Sequence, residues 1–269
     1  MAIYFRDANW RMVRWCVQTD GVAVIPLGSL EQHGPHLPCG TDTFQVNEFV
    51  KRAVQRVPPE LPVCVCPTVE YSVVQWASPM ASAGIQPLTL EQSLVDVCHA
   101  LTDLGFGKIL LVHGHGGLPC GRSALWQALQ EKRAALYVDF MPFDACHEQI
   151  QAICGEPVTH AGCVETSMML VIRPELVDMS KAVKGPDDLL GDDVTYPSLS
   201  APGVYAVPSV TVTREGMYGD ASRATARLGE AVLNVLADTT AKIIREMAST
   251  PVPDNWKAIH SLIPVPNDK

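Results

Sequence analysis

The chain has 269 residues, of which 47% are hydrophobic and 18% are charged, and its formal net charge is −9. This length and apolar content suit one large globular α/β domain or two small ones. Nucleic acids and anionic membranes both need a basic footprint, so the acidic balance argues against either partner. No apolar run approaches the ~20 residues that a membrane-spanning helix needs.

The N-terminal segment MAIYFRDANWRMVRW has scattered charges and no apolar core, so it does not resemble a signal peptide. Nine cysteines, an odd number, are spread along the chain. Without a secretory signal we expect them to be reduced and mostly buried thiols in a cytoplasmic protein. Cys64 and Cys66 belong to one apparent strand and form no Cys-x-x-Cys metal or redox motif.

Strand-like and helical segments alternate along the chain. Short apolar runs predict strands at Gly21–Leu27, Val63–Cys66, Lys108–Val112 and Ala135–Phe140. Helical spacing predicts helices at Thr43–Val57, Thr89–Leu104, Arg122–Lys132 and about Arg223–Met247. This alternation predicts an α/β fold with a mainly parallel sheet and helices on both faces.

The helix predicted from Thr89 has the clearest pattern. Thr89 and Gln92 fit a capping box at its start. An apolar stripe that should face the sheet consists of Leu94, Val97, Cys98 and Leu101.

Two segments lack the pattern of a helix or strand. Lys184–Pro202 is acidic and rich in turn residues, which is typical of a long surface loop or lid. From about residue 250 the chain carries four prolines, which predicts an extended C-terminal tail. Neither segment resembles an interdomain linker, so we expect residues 1–269 to form a single domain.

Polar side chains cluster just after the first predicted strand. Glu31, His33, His36 and Asp42 lie there in a loop rich in glycine and proline. Carboxylate oxygens and imidazole nitrogens are ligands for Zn²⁺, Mn²⁺ or Fe²⁺, and open α/β sheets form their sites at the carboxyl ends of strands. An ordinary polar surface loop is the alternative interpretation.

Two later segments carry further candidate residues. His113 and His115 follow the strand Lys108–Val112 in the sequence HGHGG, where strand alternation points both side chains the same way. A phosphate-binding glycine loop is the competing interpretation, but HGHGG lacks the Lys-Ser/Thr of a P-loop. His160 and Glu165 precede an apolar helical run, and Glu165 is also explained as an ordinary carboxylate at a helix N-terminus.

Taken together, these segments resemble the creatininase family. GSLEQHGPHLPCGTD (residues 28–42) resembles that family's GS-x-EQHGPHLP-x-x-TD signature almost position for position. HGHGG (113–117) resembles its NGHGG loop, and HAGCVETSMML (160–170) resembles its HAG-x-x-ETS-x-x-L segment. GMYGD (216–220) is a fourth match, so the resemblance spans about residues 20–240.

The resemblance implies a three-layer α/β/α fold, often a homohexamer, with one or two divalent metals (Zn, Mn or Fe) per subunit. Glu31, Asp42 and His115 would hold the first metal, and His33, the shared Asp42 and Glu165 the second. A bridging carboxylate suits two neighbouring cations because it reduces their mutual repulsion. His36 would orient this set from outside it.

The implied activity is hydrolysis of a small-molecule substrate, a cyclic amide or a formamide, at its C–N bond. A metal lowers the pKa of bound water from about 15.7 to about 7, which supplies the nucleophile. Glu165, if it is not fully committed to metal, or His160 would then carry the proton to the leaving nitrogen. The alternatives are a diketone (C–C) hydrolase of the same family and a non-catalytic metal- or ligand-binding protein on the same fold.

The chain departs from the family's pattern in the HGHGG segment and at the residue that follows it. His113 and Leu118 stand where the family has asparagines. Gly116 and Gly117 stand where creatininase has a Tyr-Glu pair whose glutamate binds metal. An aromatic wall and a carboxylate are thereby lost, so we do not expect creatinine to be the natural substrate.

Overall fold

A parallel sheet forms the centre of the chain in a computed structural model, which describes residues 2–74, 81–116, 123–127, 135–185 and 215–252. Its strands are β1 (Ala2–Tyr4), β2 (Val22–Leu27), β3 (Val63–Val65), β4 (Lys108–His113) and β5 (Leu136–Phe140). They follow the order β1-β3-β2-β4-β5, and every neighbouring pair is parallel. The four predicted strands are therefore confirmed, and β1 is an additional edge strand that the sequence analysis missed.

Helices connect and cover these strands. They are α1 (Trp10–Gln18), α2 (Thr41–Gln55), α3 (Pro87–Leu104), α4 (Pro142–Ala145), α5 (His147–Cys154), α6 (Cys163–Ile172) and α7 (Ala226–Ser249). Residues 123–127 are also helical. Short 3-10 turns occur at Pro174–Leu176, Met179–Lys181 and Ala221–Arg223.

Strand alternation places an apolar core on each face of the sheet. On β2, Val22 and Val24 pack in one core with residues of α2 and α7. Ala23 and Ile25 point the other way and pack in a second core with residues of α1 and α3. Successive side chains of a strand point to opposite faces, so a fully apolar strand requires helices on both sides. The predicted three-layer α/β/α architecture is confirmed.

Two details of the predicted helix from Thr89 are wrong. Helix α3 begins at Pro87, with Gln86 at its N-cap, so Thr89 lies inside the first turn and forms no capping box. A proline at the start of a helix has its φ already set and needs no N–H partner, which explains the earlier start. Val97 is 37% exposed, because the buried arc of α3 is displaced toward Val95.

Other boundaries differ by a few residues. Helix α2 begins at Thr41, which brings Asp42 into its first turn. Helix α7 begins at Ala226 and is capped by the Thr225 hydroxyl, which accepts a hydrogen bond from the Leu228 N–H. The predicted loop from 186 onward, the tail from 253, and most of the helix predicted at Arg122–Lys132 lie outside the described residues.

The cysteines of the described chain are all free thiols. Cys39 is exposed, and the other seven are buried, in agreement with the expectation of mostly buried thiols. No helix in the described residues is both long enough and apolar enough to cross a membrane.

The topology of the sheet implies a crevice at the carboxyl ends of β2 and β4. These two strands are neighbours, and Leu27 at the end of β2 pairs with His113 at the end of β4. Helix α2, which follows β2, lies on one face, whereas the helical residues 123–127, which follow β4, lie on the other face. Chain connections that diverge in this way leave an opening at the strand ends, where α/β proteins bind ligands.

Candidate metal centre

Five buried polar side chains from different elements meet at this crevice. Glu31 and His33 lie in the loop after β2, and Asp42 lies in the first turn of α2. His115 follows β4, and Glu165 lies in the first turn of α6. Each of the five is at most 8% exposed. Residues that are far apart in the sequence therefore share a single pocket.

The five residues form two overlapping triads of potential metal ligands. One consists of Glu31, Asp42 and His115, and the other of His33, Asp42 and Glu165; within each, the candidate atoms lie within 4.8 Å of one another. These are the two sets that the family resemblance implied, with Asp42 shared between them. A third combination brings His160 together with Glu31 and His33.

His115 presents one ring nitrogen to two carboxylates. Its Nε2 lies 3.1 Å from the carbonyl oxygen of Val73, and its Nδ1 lies 2.9 Å from Oδ2 of Asp42. The same Nδ1 is 3.1 Å from Oε2 of Glu31. A carbonyl can only accept, so Nε2 carries the proton. In a neutral ring, the lone pair of Nδ1 therefore faces two anionic oxygens, an arrangement that a shared cation would stabilise.

His33 also has one ring nitrogen bonded to a backbone carbonyl and the other facing two carboxylates, but here Nδ1 and Nε2 have the opposite roles. Its Nδ1 donates to the carbonyl oxygen of Glu31 over 2.9 Å. Its Nε2 faces Oδ1 of Asp42 at 3.1 Å and Oε2 of Glu165 at 3.6 Å. In metal sites, a hydrogen bond from the distal nitrogen commonly fixes the tautomer and orientation of a ligating histidine. Both histidines have such a bond to a backbone carbonyl.

The electrostatics of the pocket favour additional positive charge. Burial disfavours the charged form of both histidines, yet Asp42 raises the pKa of His33 to about 10. Asp42 and Glu31 likewise raise the pKa of His115 well above its usual value, against the effect of burial. Burial raises the pKa of Glu165 to about 7, with a further contribution from the charge of Asp42. Without a cation, protons must compensate these carboxylates.

Glu31 provides the most direct test of whether a metal fits. Its side chain is 0% exposed. Among the described residues, neither of its carboxylate oxygens accepts a hydrogen bond of acceptable geometry, although Oε2 is near His115. A buried carboxylate whose oxygens accept no hydrogen bond is costly, and coordination of a cation reduces that cost. The donor set of carboxylate and imidazole atoms therefore fits a divalent metal.

Asp42 is held in place by residues that the sequence analysis did not single out. The hydroxyl of Ser29 donates to Oδ2 of Asp42 over 2.7 Å. The hydroxyl of Thr43 in turn donates to the carbonyl oxygen of Ser29 over 3.0 Å. Both residues lie within or beside the GSLEQHGPHLPCGTD motif, so their position in it was the available signal.

Glu165 combines the two interpretations that the sequence left open. Its Oε2 accepts the backbone N–H of Ala161 over 2.6 Å, as a carboxylate near the start of a helix does. The same oxygen faces His33 across the pocket. Ala161 has a φ of 55°, a left-handed conformation that is uncommon for a residue with a side chain. This turn directs the N–H of Ala161 at the carboxylate.

His160 lies beside the triads rather than between them. Its ring centroid is 4.3 Å from that of His33, and its Nε2 donates to the carbonyl oxygen of Gln32 over 2.8 Å. Burial, followed by the charge of His33, lowers the pKa of His160 well below 6.5, so the ring is neutral at pH 7. The ring of Tyr218 stacks near His160 with centroids 6.4 Å apart. Tyr218 belongs to the GMYGD match, but the sequence suggested no role for it.

His36 and His113 are not part of either triad. The Nε2 of His36 lies 2.9 Å from the hydroxyl of Thr166, so His36 joins the loop after β2 to helix α6. His113 instead pairs with Asp139 on β5. The expectation that His36 supports the cluster from outside is compatible with this position.

Gly116 follows His115 at an open place. It is exposed, and a Cβ added there would meet no atom of the described part of the chain within 4 Å. Gly117 and Leu118, the other departures from the family pattern, lie outside the described residues.

Comparison with known proteins gives consistent matches. The family model described as "Creatinine amidohydrolase" (Creatininase) matches residues 6–244. Creatinine amidohydrolase of Pseudomonas putida is 26% identical over 268 residues, covering 91% of this chain and 97% of that protein. The mycofactocin precursor peptide peptidase of Mycobacterium ulcerans (strain Agy99) is 31% identical over 245 residues, covering 86% of each chain.

A solved structure supports the same relationship at the level of the fold. The crystal structure of creatinine amidohydrolase (creatininase) superposes with a TM-score of 0.79 at 24% sequence identity, covering 92% of this chain and 99% of that chain. The family model spans most of the sequence, and the fold agrees. The chain belongs to the creatininase family of hydrolases.

Proposed function

We propose that this chain is a metal-dependent amidohydrolase whose two triads hold one or two divalent cations, Zn, Mn or Fe. The observation that carries the proposal is the position of Asp42. Its Oδ2 is 2.9 Å from Nδ1 of His115, and its Oδ1 is 3.1 Å from Nε2 of His33. One carboxylate thus faces a candidate ligand nitrogen on each side, so Asp42 would help to hold a cation in each triad.

A bound divalent cation would polarise a carbonyl oxygen and lower the pKa of a water molecule next to it. The chain itself would orient the ligands through the carbonyl groups of Val73 and Glu31, which fix His115 and His33. His160 is neutral and adjacent to the cluster, so we assign it the role of accepting a proton from the attacking water and passing that proton to the leaving nitrogen. We assign Glu165 to the second triad, since its Oε2 faces His33.

The proposed substrate is a cyclic amide or a formamide. The loss of an aromatic wall at Gly116, where no atom of the described residues would meet an added Cβ within 4 Å, supports a substrate bulkier than creatinine. A peptide amide bond is the second candidate, favoured by the 31% identity to a precursor peptide peptidase. Hydrolysis of a C–C bond in a diketone would use the same centre and is the remaining alternative.

The test begins with protein purified without chelator, whose metal content is measured before any assay. The protein is then stripped, reloaded separately with Zn²⁺, Mn²⁺ and Fe²⁺, and screened on formamides, lactams, cyclic ureides, short peptides and a β-diketone. We expect bound metal and C–N cleavage that chelator abolishes. Creatinine should be turned over far more slowly than the 1–10³ per second typical of enzymes. Protein that binds no metal, or turnover that ignores chelator, would contradict the proposal.

We also propose that the chain forms a single domain, acts in the cytoplasm and assembles as a homohexamer. The match of one family model to residues 6–244 supports the first of these. The reduced cysteines expected from the sequence support the second, and the family resemblance supports the third.

A further inference from the structure

A second buried pair lies next to the proposed metal centre, at the carboxyl ends of β4 and β5. Nε2 of His113 is 2.5 Å from Oδ1 of Asp139, and the two side chains are 9% and 15% exposed. A hydrogen bond from a ring N–H to a carboxylate is stronger than one between two neutral groups. This bond joins His113 to Asp139, and neither residue belongs to the two triads.

The pair extends the contact between two strands beyond their last backbone pairing. The β4–β5 ladder ends with Val112 opposite Phe140, and Asp139 is opposite Leu111. His113 is therefore one residue past this ladder and reaches back diagonally to Asp139. A side-chain bond at this place fixes the end of β4 against β5, where backbone hydrogen bonds no longer do so.

The opposite side of the same strand end is fixed by Gly114. Its N–H donates to the carbonyl oxygen of Leu27 over 2.7 Å. A Cβ at Gly114 would lie only 2.6 Å from Cβ of Val46 and 2.9 Å from the carbonyl oxygen of Asp42. Residues 113 and 114 thus contact β2 and α2 on one side and β5 on the other. The next residue along the chain is His115.

We propose that His113 and Asp139 are positioning residues that set the direction of the His115 ring toward Glu31 and Asp42. This inference rests on the proposed metal-binding function. His115 needs fixed placement because its Nδ1 must face two carboxylates while its Nε2 keeps the bond to Val73. Loss of the pair would allow the residues after β4 to shift, and ligand placement tolerates only about 0.5 Å.

The experiment measures metal affinity rather than activity alone. Zn²⁺ and Mn²⁺ dissociation constants are obtained by chelator competition for the parent, Asp139→Asn, His113→Ala and the double variant Asp139→Asn/His113→Ala. We expect each single variant to bind about 10–100-fold more weakly, as for outer partners of metal ligands. The double variant should bind no more weakly than the weaker single variant, because both changes remove one interaction.

Two controls separate positioning from general stability. Asp20→Asn breaks the ion pair between Asp20 and Lys108, which is 2.6 Å long and lies at the opposite end of β4. This variant should lower the melting temperature and leave both dissociation constants unchanged. His113→Gln keeps a side-chain N–H for Asp139, so it should recover part of the affinity that His113→Ala loses.

The outcomes distinguish this inference from the function on which it rests. If the parent binds metal and the His113 and Asp139 variants change only the melting temperature, as Asp20→Asn does, the positioning role is wrong and the metal centre stands. Independent, additive losses in the double variant would also contradict the role. If the parent itself binds no metal, the proposed function and this inference both fail. Circular dichroism of each variant verifies that it is folded before the affinities are compared.

Discussion

The two ends of β4 bury charge in different ways. At the amino end, Nζ of Lys108 donates to Asp20 over 2.6 Å and to the carbonyl oxygen of Ala248 over 2.8 Å. Lys108 is 1% exposed, while Asp20 is 69% exposed and remains hydrated. The single buried charge at this end has partners within the described chain. Stability alone explains this lysine, because its bond to Ala248 holds the end of α7 against the sheet.

At the carboxyl end, the acceptors exceed the donors. Beyond His113, the carboxylates of Glu31, Asp42 and Glu165 converge on two histidines whose other nitrogens are already bonded to backbone carbonyls. Three buried carboxylates facing two histidines leave this end short of positive charge, and a buried carboxylate that is not compensated destabilises a fold. The contrast supports the proposal that the carboxyl end is a ligand site and the amino end is structural, and it can be tested from both ends.

The largest expected effect comes from removing a proposed ligand. His115→Ala takes away the nitrogen that faces both Glu31 and Asp42, so hydrolysis should fall by more than the factor of about 100 that outer residues cause. Asp20→Asn is the control at the other end; it should cost about 1–3 kcal/mol of unfolding free energy and leave the rate unchanged. Steady-state rates and thermal melts of both variants test the pair. Equal losses of rate would remove the distinction between the two ends.

A smaller effect is expected from His36, which contacts Thr166 rather than the triads. His36→Ala should weaken metal binding by about 10–100-fold without abolishing it, because the loop after β2 loses its bond to α6. Thr166→Val removes the other partner of this bond and should have a similar effect. Chelator competition measures both. An affinity unchanged in both variants would show that this bond does not support the centre.

A further prediction concerns pH and the metal-free protein. Glu165 has a folded pKa raised to about 7, and His33 one raised to about 10, both above their unfolded values of 4.5 and 6.5. Groups with raised pKa stabilise the fold below the unfolded pKa and lose that contribution as pH rises through the folded one. The chelator-treated protein should therefore become less stable from about pH 5 through 7 and on toward 10.

Metal reverses the sign of this dependence, because ligands must be unprotonated to bind it. The difference in melting temperature between metal-loaded and chelator-treated protein should thus grow from pH 5 to pH 8. Thermal melts at several pH values, with and without chelator, measure this difference. A difference that stays constant or shrinks as pH rises would mean that protons and metal do not compete for the same groups.

Much of the fold followed from the sequence because the apolar runs of the inner strands are distinct. Strand β1 was missed because three residues are too few to show a period, and its place at the sheet edge comes only from pairing with β3. The capping box at Thr89 failed because Pro87 starts the helix two residues earlier. In both cases neighbouring residues or strands decided the structure, and the short pattern used for the prediction did not include them.

The sequence likewise indicated some residues of the candidate site and not others. Glu31, His33, Asp42 and His115 were selected because unusual residue types follow apolar strands. The supporting groups had no comparable signal: the carbonyl of Val73 is backbone, and Asp139 bonds to a residue 26 positions away. Glu165 could not be separated from an ordinary helix-start carboxylate, and the structure shows it in contact with both Ala161 and His33.

The bridging role of Asp42 is the central claim, and metal stoichiometry tests it most directly. Parent protein and Asp42→Ala are purified without chelator, equilibrated with the same excess of Zn²⁺ or Mn²⁺, desalted and analysed for metal per chain. Because Asp42 belongs to both triads, the parent should retain one or two equivalents and Asp42→Ala almost none. Equal metal content in the two proteins would contradict the claim that Asp42 bridges the centre.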